Sequence, residues 1–174
     1  MRQRRCHYSS RKPQNCNARS PATMNPMDNV TEPIFECCHC SLEVTPNPEM
    51  GTAHRNHCNH CLWSKHVDTT PGDRASTCLG CMEPIGVTLK HEGTDKYGKE
   101  KLGDVMLVHR CSVCGAINLN RIAADDPEDL VVKVYEHSLA LPQATLDELS
   151  SQNISLLSEN EKPLLLERLF GKSI

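Results

Sequence analysis

Apolar and polar positions become patterned only from about Ile34 and Phe35, and the period of the pattern changes along the chain. Ile85-Gly-Val-Thr-Leu89 and Asp104-Val-Met-Leu-Val-His109 are strand-like, and the alternation of Ile117 and Leu119 with Asn118 and Asn120 predicts a closing strand. Between the first two runs lies a polar stretch, residues 90–101, with Gly93 and Gly98, which predicts a long loop joining a hairpin. The spacing then turns helical. Leu130, Val131 and Val134 lie roughly on one face of a helix predicted over residues 127–140, with Asp126 as N-cap, Pro127 at the first helical position and acids in the first turn. Pro142 ends it. A second helix is predicted from Thr145 to Gln152, opened by a capping box of Thr145 and Glu148. A third runs from about Lys162 to Phe170, with Pro163 in its first turn and an apolar stripe of Leu165, Leu166, Leu169 and Phe170 that reads as a core or docking face.

Composition makes this core thin. Of 174 residues only 3% are aromatic, with two Phe, three Tyr and one Trp, so burial alone offsets little of the backbone entropy. The cysteines supply what the core lacks. Four Cys-x-x-Cys pairs, Cys37/Cys40, Cys58/Cys61, Cys78/Cys81 and Cys111/Cys114, give eight thiols, enough for two tetrahedral zinc sites. A structural zinc adds about 10–16 kcal/mol of apparent binding free energy to folding. No apolar stretch approaches the ~20 residues of a membrane span. No apolar run follows the basic start, so no secretory signal is expected, and a cytoplasmic setting reads paired cysteines as metal ligands before disulfides.

Charge divides the chain. Residues 1–32 carry six Arg/Lys against two acids, a net +4, and the remaining 142 residues a net −7. With Pro13, Pro21 and Pro26, residues 1–32 read as a disordered basic extension, in which Cys6 and Cys16 are unpartnered. Residues 33–140 read as a double zinc-binding domain and 141–174 as a helical tail.

Within the central region the pattern repeats: in each half a segment containing His-Arg runs into the second Cys pair, as two tandem zinc ribbons would produce. Seventeen residues separate Cys40 from Cys58, inside the usual window for one site, whereas 29 separate Cys81 from Cys111, with the excess in residues 90–101. This sequential pairing competes with a nested one. Cys58, Cys61 and His66 match the first three ligands of a zinc knuckle with Cys78 as the fourth, which leaves Cys37/Cys40 to join Cys111/Cys114. The two arrangements differ over Cys81 and His66. His54 and His57 read as groups supporting the ligands by hydrogen bonds, His39 and His60 as exposed, and Cys38 as a spare thiol.

The string Gly51-Thr-x-His54-Arg55-Asn56-His57-Cys58-x-x-Cys61-Leu62-Trp63-Ser64-x-His66-Val67-Asp68, then Pro71-Gly72-Asp73-Arg74, resembles the RNHCP family of small, mainly bacterial proteins. Met82-x-Pro84-Ile85, His109-Arg110-Cys111-x-x-Cys114-Gly115 and Asn120-Arg121-Ile122-Ala123-x-Asp125-Asp126 extend the likeness over about residues 34–135. The resemblance implies a compact zinc-binding domain without an established activity. This chain has Asn59 where the family's name has Pro. The resemblance also implies that the cysteine at Cys78 is kept while the position of Cys81 varies, which makes His66 or His109 the candidate for the last ligand.

Three functions fit these residues. The first is a binding module that contacts RNA, the ribosome or a protein, with Arg55, Lys65, Arg74, Arg110 and Arg121 as phosphate contacts. The second is a zinc-dependent hydrolase or nuclease built on His54, His57, His66 and Asp68 or Asp73, which requires a zinc with an open position. The third is a thiol redox protein using the same Cys-x-x-Cys pairs.

Overall fold

The computed structural model describes residues 35–171 except 51, 53 and 54, all within one compact unit, Thr31–Ile174. The basic arm with Cys6 and Cys16, and also His54, lie outside the described residues. Among the described residues the architecture is a small α+β one with two antiparallel sheets and three α-helices. β1 (Phe35–Glu36) and β2 (Glu43–Val44) form a two-stranded sheet. β3 (Ser64–Lys65), β4 (Cys81–Thr94), β5 (Glu100–Cys111) and β6 (Ile117–Arg121) form a four-stranded sheet in sequence order.

The β4–β5 hairpin dominates. Most of the polar stretch expected as a loop continues both strands, and only residues 95–99 turn. Backbone ladder bonds need no apolar side chains, so exposed residues can extend a hairpin beyond the core. Asp95 closes the tip: its carboxylate accepts the Tyr97 and Lys99 N–H groups, and Gly98 takes the left-handed conformation at φ 80°. Pro84 sits inside β4 but beyond the end of short β3, where no neighbour needs its missing N–H. The register shift between Pro84 and Gly86 then separates side chains that strict alternation would keep together. Ile85 joins Val108 and Leu149, whereas Val87 and Leu89 join Val105 and Leu107 in the main core.

Helices cover both clusters. α1 (Glu128–Ser138) adds Val131 and Tyr135 to the main core, α3 (Lys162–Phe170) adds Leu165, and α2 (Gln143–Ser151) places Leu149 in the second cluster. The chain between α2 and α3 crosses β4, with Leu157 N–H donating to the Val87 carbonyl at 2.9 Å and the Thr88 hydroxyl to the Ser155 carbonyl. Tyr135, fully buried, donates its hydroxyl to the Ser158 carbonyl at 2.9 Å.

Two helix starts differ from the expectation. α1 begins one residue late, with Pro127 as N-cap, because the Asp126 carboxylate is turned toward Arg55 and His57. α2 begins at Gln143 behind Pro142, which leaves Thr145 inside the first turn without a capping box. The capping box forms instead at Ser158 and Glu161, where the Glu161 carboxylate accepts the Ser158 N–H at 2.8 Å just before α3. Among the described residues no helix is long and apolar enough to cross a membrane.

Candidate metal centres

Three of the four Cys-x-x-Cys segments fold into the same turn. In each, the first cysteine's N–H donates to the carbonyl five residues on, and its carbonyl accepts the N–H four residues on. Cys37 does this with Leu42 and Ser41, Cys58 with Trp63 and Leu62, and Cys111 with Ala116 and Gly115, all at 2.8–3.0 Å. Closing so tight a turn forces the fourth residue after the cysteine into the left-handed region: Ser41 at φ 57°, Leu62 at 63° and Gly115 at 77°. The turn then aims N–H groups at sulfur, His39 to Cys37 Sγ at 3.4 Å and His60 to Cys58 Sγ at 3.3 Å.

The fourth segment does not fold this way. The residue four after Cys78 is Met82, which is held in the ladder between Ser64 of β3 and Cys111 of β5. Cys81 is therefore fixed as the first residue of β4, paired with Lys65, and cannot swing back toward the sulfur of Cys78. It is joined to Cys38 in a disulfide, with a Cα–Cα distance of 6.0 Å that lies inside the ordinary range for such a bond.

The expected ligands accordingly fall into two groups of four whose ligand atoms all lie within 4.8 Å of one another: Cys37, Cys40, Cys58 and Cys61 in one, and His66, Cys78, Cys111 and Cys114 in the other. The first grouping is that of the sequential arrangement. The second follows neither arrangement in full, since it keeps Cys78 with Cys111 and Cys114 but has His66 in the place read for Cys81. His109, the other histidine considered, is in neither group.

The separations suit a tetrahedral ion. A metal–sulfur distance of about 2.3 Å gives a tetrahedral S···S edge of about 3.8 Å, and replacing one sulfur by a histidine nitrogen shortens the edge to about 3.5 Å. Cys37–Cys61 and Cys40–Cys58 are separated by 3.5 and 3.6 Å, Cys78–Cys111 by 3.7 Å, and Cys114 Sγ lies 3.3 Å from His66 Nδ1. Without an ion the sulfurs differ in character. Burial opposes ionisation at Cys111, but the N–H groups of Cys114 and Val113 hold its pKa at about 6. Burial drives Cys58 up to about 11, so an ion entering the first group displaces protons.

The other described histidines, asparagines and acids of the motif bond to one another, to Arg55 and to backbone. Arg55 is buried and ion-paired to Asp125 and Asp126, its Nη2 lying 3.2 Å from Asp126 Oδ1. His57 Nε2 is 2.8 Å from Asp126 Oδ2. Burial would raise the pKa of Asp126, but the His57 hydrogen bond and charge, with Arg55 adding its own, hold it below the ordinary value. Asn56 donates to Asp68 Oδ2 at 2.7 Å, and Asp68 Oδ1 accepts the Arg74 N–H at 2.9 Å. Asp73 organises its loop by accepting the N–H groups of Thr69, Thr70 and Ala75, chiefly the last, which holds its carboxyl well below the ordinary range.

His109 ties the two halves together. It is fully buried on β5, donates from Nε2 to the Leu62 carbonyl at 2.7 Å, and accepts the Asn120 side-chain N–H at Nδ1 at 3.1 Å. Burial lowers its pKa to about 3, so the ring is neutral. The strand that ends in Cys111 is thereby bonded to the turn that begins at Cys58. The arginines of the repeated His-Arg do different work, Arg55 buried between Asp125 and Asp126 and Arg110 exposed beside Glu148. His39, exposed as expected, stacks on Trp63 with ring centroids 4.2 Å apart.

Comparison with curated proteins and with solved structures returned no match. The family model of the RNHCP domain matches residues 32–132, which contain both groups of four, the Arg55-Asn56-His57-Cys58 run, Asp125 and Asp126. The chain belongs to the RNHCP domain family.

Proposed function

We propose that this protein is a structural-zinc binding module, a pair of linked zinc-ribbon-like units that presents a surface to RNA, the ribosome included, or to a protein. The observation that carries the metal is the closure of each group: four soft or borderline donors at tetrahedral separations, three sulfurs and a nitrogen in one and four sulfurs in the other. That donor set suits zinc, and it leaves no position for a catalytic water. Cys37, Cys40, Cys58 and Cys61 would hold one ion, and His66, Cys78, Cys111 and Cys114 the other. When bound, zinc supplies folding free energy to a chain with a thin core.

Among the described residues the hydrolase reading loses its groups. His66 belongs to a closed set, His57 is engaged by Asp126, and Asp68 and Asp73 are engaged by Asn56 and by loop N–H groups. Arg55 is likewise withdrawn from phosphate contact by its burial between two aspartates. Support for a nucleic-acid partner comes from the rim of the first group. A cleft there is lined by Phe35, Arg55, Asn56, Lys65, Val67 and Arg74, and Phe35 packs against the same cysteine cluster as Trp63. Cationic side chains beside aromatic faces suit a single strand.

Elemental analysis of the purified chain should give two zinc ions, with X-ray absorption matching one shell of four sulfurs and one of three sulfurs and a nitrogen. One zinc with a bound oxygen would overturn this reading in favour of catalysis. Anisotropy with labelled single-stranded RNA should show binding at low salt that falls steeply as salt rises. Absence of binding at low salt would leave a protein as the partner.

A further inference from the structure

Cys38 and Cys81 are the two described cysteines that neither group of four contains, and the fold brings them together. Cys38 is exposed inside the first Cys-x-x-Cys turn, and Cys81 is half-buried at the start of β4, 43 residues away. We propose that these two sulfurs form a reversible dithiol–disulfide couple that fastens the β1–β2 turn to the four-stranded sheet and so sets how readily the first metal group gives up its ion. The metal part of this rests on the zinc reading above; the cross-link does not.

The β1–β2 turn supplies Cys37 and Cys40, half of the first group, from a sheet of only two residue pairs. Its other attachments are few. Val44 and Cys37 pack with Cys58 in a small cluster that Phe35 and Trp63 flank, and His39 lies on Trp63. An ion bound by Cys37 and Cys40 leaves when this turn lifts from the Cys58/Cys61 turn. A covalent bond from Cys38 to β4 holds the turn in place even while a metal–sulfur bond is broken, so rebinding outcompetes escape. The bond reaches β4 next to Met82, whose neighbour in the ladder is Cys111 of the second group. It therefore anchors the first group on the strand pair that carries the second.

Exposure and metal binding together decide which sulfurs react. Cys38 stands at the surface and belongs to neither group of four, whereas the seven cysteines of the groups, exposed Cys114 among them, are shielded by their ions in the loaded chain. With a peroxide as oxidant, the Cys38 thiolate attacks one peroxide oxygen and breaks the O–O bond, giving a sulfenic acid and a hydroxide that takes up the proton the thiol released and becomes water. The Cys81 thiolate then attacks the Cys38 sulfur; the S–S bond forms, the S–O bond breaks, and hydroxide leaves and is protonated to a second water. The two thiols lose two electrons and two protons in all, and a small dithiol such as dithiothreitol returns them by exchange.

The test uses the full chain loaded with zinc, either reduced with dithiothreitol or treated with stoichiometric hydrogen peroxide. Peptide mapping after alkylation should find Cys38 linked to Cys81 in the oxidised sample, with unchanged zinc content. Chelator-driven release of the first zinc should then be at least tenfold slower than in the reduced sample. Hydrogen exchange at the Cys37 and Ser41 amides should slow in parallel. Cys38→Ser and Cys81→Ser should each keep the zinc content and release zinc at the reduced rate under both conditions. Equal exchange and release rates in the two states overturn the proposal, as does oxidation that links metal-group cysteines and expels zinc. A reduced chain that holds no zinc defeats the metal reading instead; exchange at Cys37 and Ser41 then still decides whether the cross-link fastens the turn.

Discussion

Replacing Asp126 by alanine should destabilise the protein, and the size of the effect follows from what its carboxylate touches. One oxygen lies 2.8 Å from His57 Nε2 and accepts the Ala123 N–H at 2.7 Å, and the other lies 3.2 Å from Arg55 Nη2. The side chains of Asp126 and Arg55 are 1% and 2% exposed. Deleting one partner of a buried pair costs about 3–5 kcal/mol, because the remaining charge loses its compensation. Here Asp125 keeps its contact with Arg55, which places the expected loss at the lower end, about 3 kcal/mol. Asp125→Ala removes a partner that is 22% exposed and should cost about 1 kcal/mol. Denaturant unfolding in excess zinc, followed by Trp63 fluorescence and circular dichroism, measures both variants, with bound zinc quantified in parallel. An Asp126→Ala chain within about 0.5 kcal/mol of the parent refutes the reasoning, and so does an Asp125→Ala chain that loses more than Asp126→Ala. The pH dependence has a definite sign. A carboxylate held below its ordinary pKa contributes stability that is complete above about pH 4 and is lost as pH falls through the folded value. Below pH 4 the parent should therefore lose stability more steeply than Asp126→Asn.

Three further outcomes follow from the same geometry. His66→Ala should lower bound zinc from two ions to one while Cys81→Ser leaves two, as read by elemental analysis; the reverse result would restore Cys81 as a ligand. Gly80→Ala should weaken zinc retention in the second group by at least tenfold in a chelator competition, since the added Cβ would stand 2.9 Å from Cys111 Sγ; unchanged retention would count against that packing. The His109 ring should stay neutral between about pH 7.5 and 5 in NMR spectra, because burial lowers its pKa to about 3, and a midpoint near 6 would contradict its place in the core. The unfolded chain binds this proton near pH 6.5, so His109 also makes stability fall as pH drops below that value, until about pH 3.

Much of the fold is local and was therefore legible. The strands around Val87, Leu107 and Leu119 and the helices at residues 128–138 and 162–170 follow from period, proline position and apolar spacing. What escaped was set by competition between distant groups. Asp126 has the chemistry of an N-cap, but the charge of a buried guanidinium and a hydrogen bond with an imidazole hold its carboxylate away from the helix N–H groups. Thr145 and Glu148 have the spacing of a capping box, but Pro142 starts the helix before them. The polar residues 90–101 carry no strand signal in their side chains, because their pairing rests on backbone bonds alone.

The candidate centres divide in the same way. By itself the sequence determined that eight cysteines come as Cys-x-x-Cys pairs and that His66 competes with Cys81, with a sequential and a nested pairing both open. Only the tertiary structure brings His66 beside Cys78, Cys111 and Cys114 and joins Cys81 to Cys38 instead. A Cys-x-x-Cys turn needs the fourth residue after its first cysteine to be free to take a positive φ and bond back, as Ser41, Leu62 and Gly115 do. At Cys78 that residue is Met82, which the β3 and β5 ladders hold extended, and an extended strand carries Cys81 away from the sulfur of Cys78 and toward Cys38. Spacing is a property of the chain, whereas the choice between closing a turn and entering a sheet depends on strands that arrive from elsewhere in the sequence.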